Sequence, residues 1–187
     1  TEIYTLSLHD ALPILDIGVS SSATTFICMG KVGNKIYIYD AYYHRNGKNS
    51  IEGAKQYEDY ANDFVEFYYK QLSRFGFPPR KTFIDQDISM MRVLTAKYIQ
   101  VGIPKGILNY AIKEKIETRI TNVSHLIYIG DLIIDKELDV VKDALTNCVY
   151  DPKEVDKGKL VRLDDTSLAF NPKIGRAHVW TPVTEYD

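Results

Sequence analysis

The stretch from Ala23 to Tyr43, ATTFICMGKVGNKIYIYDAYY, decides the fold class. Two runs rich in β-branched and aromatic residues flank a Gly33-Asn34 pair, which is the composition of two antiparallel strands joined by a tight turn. Just before this hairpin, a short apolar strand ends in LDIG, at Leu15 to Gly18. After it, IEGAKQYEDYANDFVEFYYKQLSRFG repeats Tyr57, Tyr60, Ala61, Phe64, Tyr68 and Leu72 at helical spacing and stops at Gly76 and Pro78-Pro79. That pattern predicts an amphipathic helix able to cover a sheet. KTFID, Lys81 to Asp85, reads as another short strand, and Ser89 is the expected cap of a helix reaching about Gln100 before Gly102. Farther on, the pattern predicts a helix around Ala111 to His125, an apolar run from Leu126 to Ile134, and a helix near Lys136 to Val149 ended by Asp151-Pro152. Strands and helices alternate, so the class is mixed α/β.

The chain has 187 residues, 45% hydrophobic and 26% charged, which suffices for one domain with a real core. No apolar run approaches the roughly 20 residues of a membrane helix. The N-terminal segment also lacks the basic start and small-residue cleavage site of a signal peptide, so the expectation is a cytoplasmic protein with no membrane partner. A net charge of -2 excludes a strongly basic nucleic-acid coat, though not an enzyme whose acidic centre offsets a basic track. Cys28 and Cys148 lie far apart in apolar surroundings without metal-ligand spacing and read as buried thiols.

Two acids stand out by position. Asp16 in LDIG and Asp85 in FIDQD each end a short apolar strand, where their side chains leave the sheet and share one mouth. Oxygen ligands of this kind suit Mg²⁺ or Mn²⁺, and two such ions roughly 3.5–4 Å apart support phosphodiester cleavage. An aspartate that merely opens a turn is the plainer reading of either one alone. The order of aspartate strand, hairpin, helix and aspartate strand favours the functional reading, because an RNase H-like nuclease core has that order. The expected fold is therefore an RNase H-like mixed β-sheet with flanking helices. Lys97, Lys105, Lys113, Lys115 and Arg119 offer a path for phosphates, with a lysine-rich helix face as the equal alternative. His44, beside Arg45 and Asn46, reads as a solvated loop residue, and His125 as a packed or capping one.

A family resemblance rests on longer stretches. LDIGVSSSATTFICMGKVGNKIYIYDAYYHRNGKNS, QYEDYANDFVEF, TFIDQDISMMRVLTAKYIQVGI and ITNVSHLIYIGDLIIDKELDVVKDALTNCVYDPKE together resemble the C-terminal nuclease domain of phage terminase large subunits. The resemblance implies that Asp16 is the first metal-binding acid and Asp85 the second, with Asp87 as the alternative. It further implies a Mg²⁺- or Mn²⁺-dependent endonuclease, with two ions in the intact parent, that hydrolyses concatemeric double-stranded DNA during viral DNA packaging. The implied partners are that DNA, an ATPase motor domain, the portal protein and the small terminase subunit, all in the host cytoplasm. No GxxxxGK[ST] phosphate loop of such a motor occurs in the chain. The family's third acid lies in a helix of the form DAxxY, which is absent. Asp164 and Asp165 in VRLDDTSLAF precede its place and read as loop acids, either of which could substitute for it, with Asp165 the alternative metal ligand. Asp40 and His44 in YIYDAYYHRN resemble a polar strand-end segment of the same family.

The two ends have another character. TLSLHDALPI, from Thr5, and IGRAHVWTPVT, from Ile174, resemble translated sequencing-adapter sequence. The expected division is a non-native segment at 1–14, an incomplete nuclease domain at 15–173 and a second non-native segment at 174–187. Truncation at the C-terminus implies weak or absent cleavage by this chain. Two other readings compete with the nuclease. DIGVSSSATTFICMG also resembles the phosphate-binding hairpin of actin and sugar-kinase ATPases, although no second such hairpin follows. A non-catalytic RNase H-like DNA-binding module is the third possibility.

Overall fold

A computed structural model describes residues 12–17, 23–45, 55–112 and 115–146. Its central feature is the expected hairpin. Strand β2 (Ala23–Val32) pairs antiparallel with β3 (Lys35–Arg45), and Gly33 takes the positive φ of 58° that the turn needs. The register shifts between Cys28 and Met29, a bulge that sets Tyr39 and Asp40 against Cys28 and its neighbourhood. On the other side of β2 lies β1 (Leu12–Asp16), also antiparallel. Leu12, Pro13 and Ile14 pair with Met29, Cys28 and Ile27, so residues assigned from sequence to the flanking segment complete the strand.

Helix α1 (Tyr57–Phe75) follows the hairpin and ends where Gly76 adopts φ 76° and donates its N–H to the Leu72 carbonyl. Its apolar face buries Tyr60, Phe64, Phe67 and Tyr68 on the sheet. Strand β4 (Thr82–Ile84) then enters parallel to β1. Helix α2 (Ile88–Val101) leads through a 3-10 turn at Lys105–Ile107 to β5 (Leu108–Tyr110), parallel to β4. Helix α3 (Ile116–Tyr128), β6 (Leu132–Ile134) and α4 (Asp139–Thr146) complete the described chain. The six strands run β5-β4-β1-β2-β3-β6, with β6 parallel to β3 at one edge. This is a mixed sheet with an antiparallel centre and parallel flanks.

Each face of the sheet has its own core. On one, Leu15, Phe26, Cys28, Tyr39 and Ile84 pack against α1 and α2. Phe26 is its hub, stacked on Tyr42 at 4.3 Å and edge-on to Phe64 at 5.0 Å. On the opposite face, Ile14, Ile27, Met29, Ile38 and Phe83 meet Val141 of α4.

Several local expectations change. Asp87, not Ser89, caps α2, because its carboxylate accepts the Met90 N–H at 2.9 Å. The expected helix around Ala111 begins only at Ile116, and the short strand β5 precedes it. The apolar run at 126–134 is divided: α3 continues to Tyr128, Gly130 turns the chain with φ 75°, and only Leu132–Ile134 join the sheet. Residues 147–149 of the last expected helix and Cys148 lie outside the described residues, whereas Cys28 is buried as expected.

Candidate metal centre at the strand ends

Strands β1 and β4 run parallel, so they end on the same side of the sheet. Leu15 pairs with Ile84 in the last row of that ladder, and the Asp85 N–H still donates to the Leu15 carbonyl at 3.2 Å. Asp16 and Asp85 are each the next residue, so two aspartates stand side by side where neighbouring strands lie about 4.8 Å apart. Asp16 is buried at 8% exposure and Asp85 is half-buried. The geometry brings together the two acids read from the strand ends.

The surroundings are fixed by adjacent rows. Asp16 pairs with Thr25 and Thr25 with Tyr43, one row across β1, β2 and β3. The Thr25 hydroxyl is buried and has no hydrogen-bond partner among the described residues, and sequence reasoning gave it no role. It lines a cavity of about 210 Å³ shared with Ile27, Ala41, Tyr43, Leu138 and Val141. In the next row Thr24 pairs with His44. His44 is not a solvated loop residue: it is 4% exposed on β3, with Nδ1 2.9 Å from the Tyr60 hydroxyl. Asp40 is buried farther along β3, where it accepts from Gln71 Nε2, Lys70 Nζ and the Ala41 N–H. These three donors make Asp40 a structural anchor of β3 on α1.

The first turns of α1 and α2 reach this same end of the sheet. Tyr60 touches His44, while Tyr57 donates its hydroxyl to Asp87 Oδ2 at 3.0 Å. Asp87 has Oδ1 on the Met90 N–H and Oδ2 on Tyr57. Burial and the Asp87 contact both raise the Tyr57 hydroxyl above its ordinary pKa, keeping it a donor. Nearby, Lys55 bridges Asp63 at 2.9 Å and Tyr42 at 3.2 Å. Partial burial works to lower the Lys55 ammonium, but those hydrogen bonds prevail and hold it above the usual lysine range.

The other residues read from sequence are scattered. Lys105 and Lys115 are exposed and Lys97 is half-buried, but Arg119 is only 4% exposed and forms no part of a surface track. His125 is exposed, and its carbonyl accepts the Ile129 N–H at the end of α3. Lys113, Asp164 and Asp165 lie outside the described residues. Among the described residues, no group of three histidine, cysteine, aspartate or glutamate side chains is placed to hold a metal ion. No described helix is long and apolar enough to cross a membrane.

Solved structures share this architecture. The large terminase of a thermophilic bacteriophage superposes with a TM-score of 0.67 at 17% identity, over 85% of this chain and 36% of its own. The nuclease domain of the bacteriophage SPP1 large terminase, crystallised with bound Mn, gives 0.54 at 13% identity, over 86% of this chain and 80% of that domain. The chain has the fold of a phage large-terminase nuclease. The bacteriophage HK97 large terminase matches with a TM-score of 0.53 at 10% identity, over 74% of this chain and 32% of its own. The chain thus spans about a third of the length of these large terminases, 36% in the first case. No protein-family profile matches it, and no curated protein sequence does.

Proposed function

We propose that this terminase-nuclease fold belongs to a phage terminase large subunit and serves metal-dependent hydrolysis of double-stranded DNA. The observation that carries the reading is the pair of aspartates, Asp16 and Asp85, at the ends of adjacent parallel strands. The donor set fits the ion: two carboxylates at a polar strand end, with no thiol or imidazole between them, suit a hard divalent cation such as Mg²⁺ or Mn²⁺. The bound Mn of the SPP1 nuclease domain supports the same choice. Asp16 and Asp85 would hold the ion, with Asp165 the further acid proposed from sequence. When bound, such ions supply Lewis acidity toward water and the scissile phosphate. The protein's part is to fix the two carboxylates on rigid strands. The burial of Asp16 limits its motion.

The whole protein's work follows from the same reading: cutting concatemeric DNA in the host cytoplasm beside an ATPase motor, a portal protein and a small terminase subunit. A plasmid-cleavage assay tests the chemistry. Cutting, at whatever rate, is expected to require Mg²⁺ or Mn²⁺ and to vanish in Asp16→Asn and Asp85→Asn. Metal-dependent cutting that survives both substitutions would contradict the assignment.

A further inference from the structure

The chain has only three residues, Asp85, Gln86 and Asp87, in which to leave β4 and enter α2. This turn must therefore set the direction of Asp85 while reversing the chain. Local bonds supply part of the constraint: the Gln86 N–H donates to Asp85 Oδ1 at 2.7 Å, and the Asp87 N–H donates to the Asp85 carbonyl. Asp87 then ties the turn forward, through Oδ1, to the Met90 N–H. These contacts lie within six consecutive residues and shape the turn, while the Asp85 N–H ties its start to the Leu15 carbonyl of β1. Asp87 Oδ2 ties the far end of the turn to a helix, accepting from Tyr57 thirty residues earlier in the first turn of α1.

We propose that Tyr57 is a positioning residue for Asp85, acting through Asp87, which holds the β4–α2 turn. The inference rests on the proposed metal-binding role of Asp85. Each Asp87 oxygen already accepts a hydrogen bond, one from the Met90 N–H and one from Tyr57, so the two helices set the direction of this carboxylate. Groups that orient a ligand without touching the ion commonly change metal affinity by about 10- to 100-fold. Tyr57 is half-buried, so the lower end of that range applies.

The experiment compares the wild-type chain with Tyr57→Phe and Asp85→Asn by two readouts. Amide hydrogen exchange without metal follows Gln86 and Asp87, with the β2–β3 hairpin as internal control. Mn²⁺ titration followed by electron paramagnetic resonance gives the affinity. Tyr57→Phe is expected to speed exchange at the turn about 10-fold, leave the hairpin unchanged and weaken Mn²⁺ binding about 10-fold. Unchanged turn exchange in Tyr57→Phe would overturn the inference. So would wild-type Mn²⁺ affinity in Tyr57→Phe when Asp85→Asn has lost binding. Faster turn exchange with no Mn²⁺ bound by the wild type would instead uphold the hold on Asp85 and overturn the metal-binding reading on which its purpose rests.

Discussion

Removing the Asp87 carboxylate strips two contacts at once, and their sizes can be worked out separately. As N-cap, Asp87 satisfies the Met90 N–H, and loss of such a cap to alanine costs about 1 kcal/mol. Its other oxygen accepts from Tyr57, a hydrogen bond to a charged group that would be worth about 1.5 kcal/mol or more if fully buried. Tyr57 is half-buried and can rehydrate, which reduces that contribution to about 1 kcal/mol. Asp87→Ala should therefore cost about 2 kcal/mol, a fall in Tm of about 4–8 °C for a domain of this size. Asp87→Asn should cost far less: asparagine caps as well as aspartate, and its amide can donate to the Tyr57 oxygen. Tyr57→Phe alone should cost about 1 kcal/mol, but almost nothing when added to Asp87→Ala. Urea unfolding of the four variants closes the double-mutant cycle, with an expected coupling of about 1 kcal/mol. Additive costs for Asp87→Ala and Tyr57→Phe, or an Asp87→Asn variant as unstable as Asp87→Ala, would refute the reasoning.

Three other expectations follow from buried groups. Thr25→Val replaces a buried hydroxyl that has no partner among the described residues with a methyl of the same shape and should raise stability by about 1 kcal/mol in thermal unfolding; a loss would mean that the hydroxyl is satisfied. Phe26→Ala removes the hub of the α1-facing core and should cost about 3–5 kcal/mol, measured by denaturant titration. Burial pushes the Cys28 thiol up to about 12, despite the lowering effect of its hydrogen bond to Tyr39. In a Cys148→Ser background, Cys28 should resist thiol reagents at pH 8 until the protein unfolds. Because that pKa is higher folded than unfolded, its contribution to stability is fully present below the unfolded value of about 9 and is lost as pH climbs toward 12. Alkaline unfolding should begin in that window, and Cys28→Ala should flatten its slope.

The hairpin and α1 were legible because both have period and length: alternating aromatics around Gly33-Asn34, and a long stripe from Tyr57 to Leu72. The strand-end placement of Asp16 and Asp85 was legible because each follows a short apolar run. β5 was not, since three residues at a sheet edge carry no period and their pairing partner is β4, a helix earlier in the chain. The run at 126–134 misled because Ile127 and Tyr128 are apolar yet exposed at the end of α3, at 48% and 89%. His44 looked solvated from its polar neighbours, whereas its row on β3 places it against Tyr60. The contact between Tyr57 and Asp87 joins residues thirty apart, a pairing no local pattern encodes.

Mn²⁺ binding by Asp16 and Asp85 is the most direct test of the central claim, and isothermal titration of the wild type, Asp16→Asn and Asp85→Asn measures it. The expected result is saturable Mn²⁺ binding by the wild type, with competition by Mg²⁺, that either substitution abolishes while the variants remain folded. Wild-type protein that takes up no Mn²⁺, or variants that bind as tightly as the wild type, would contradict it.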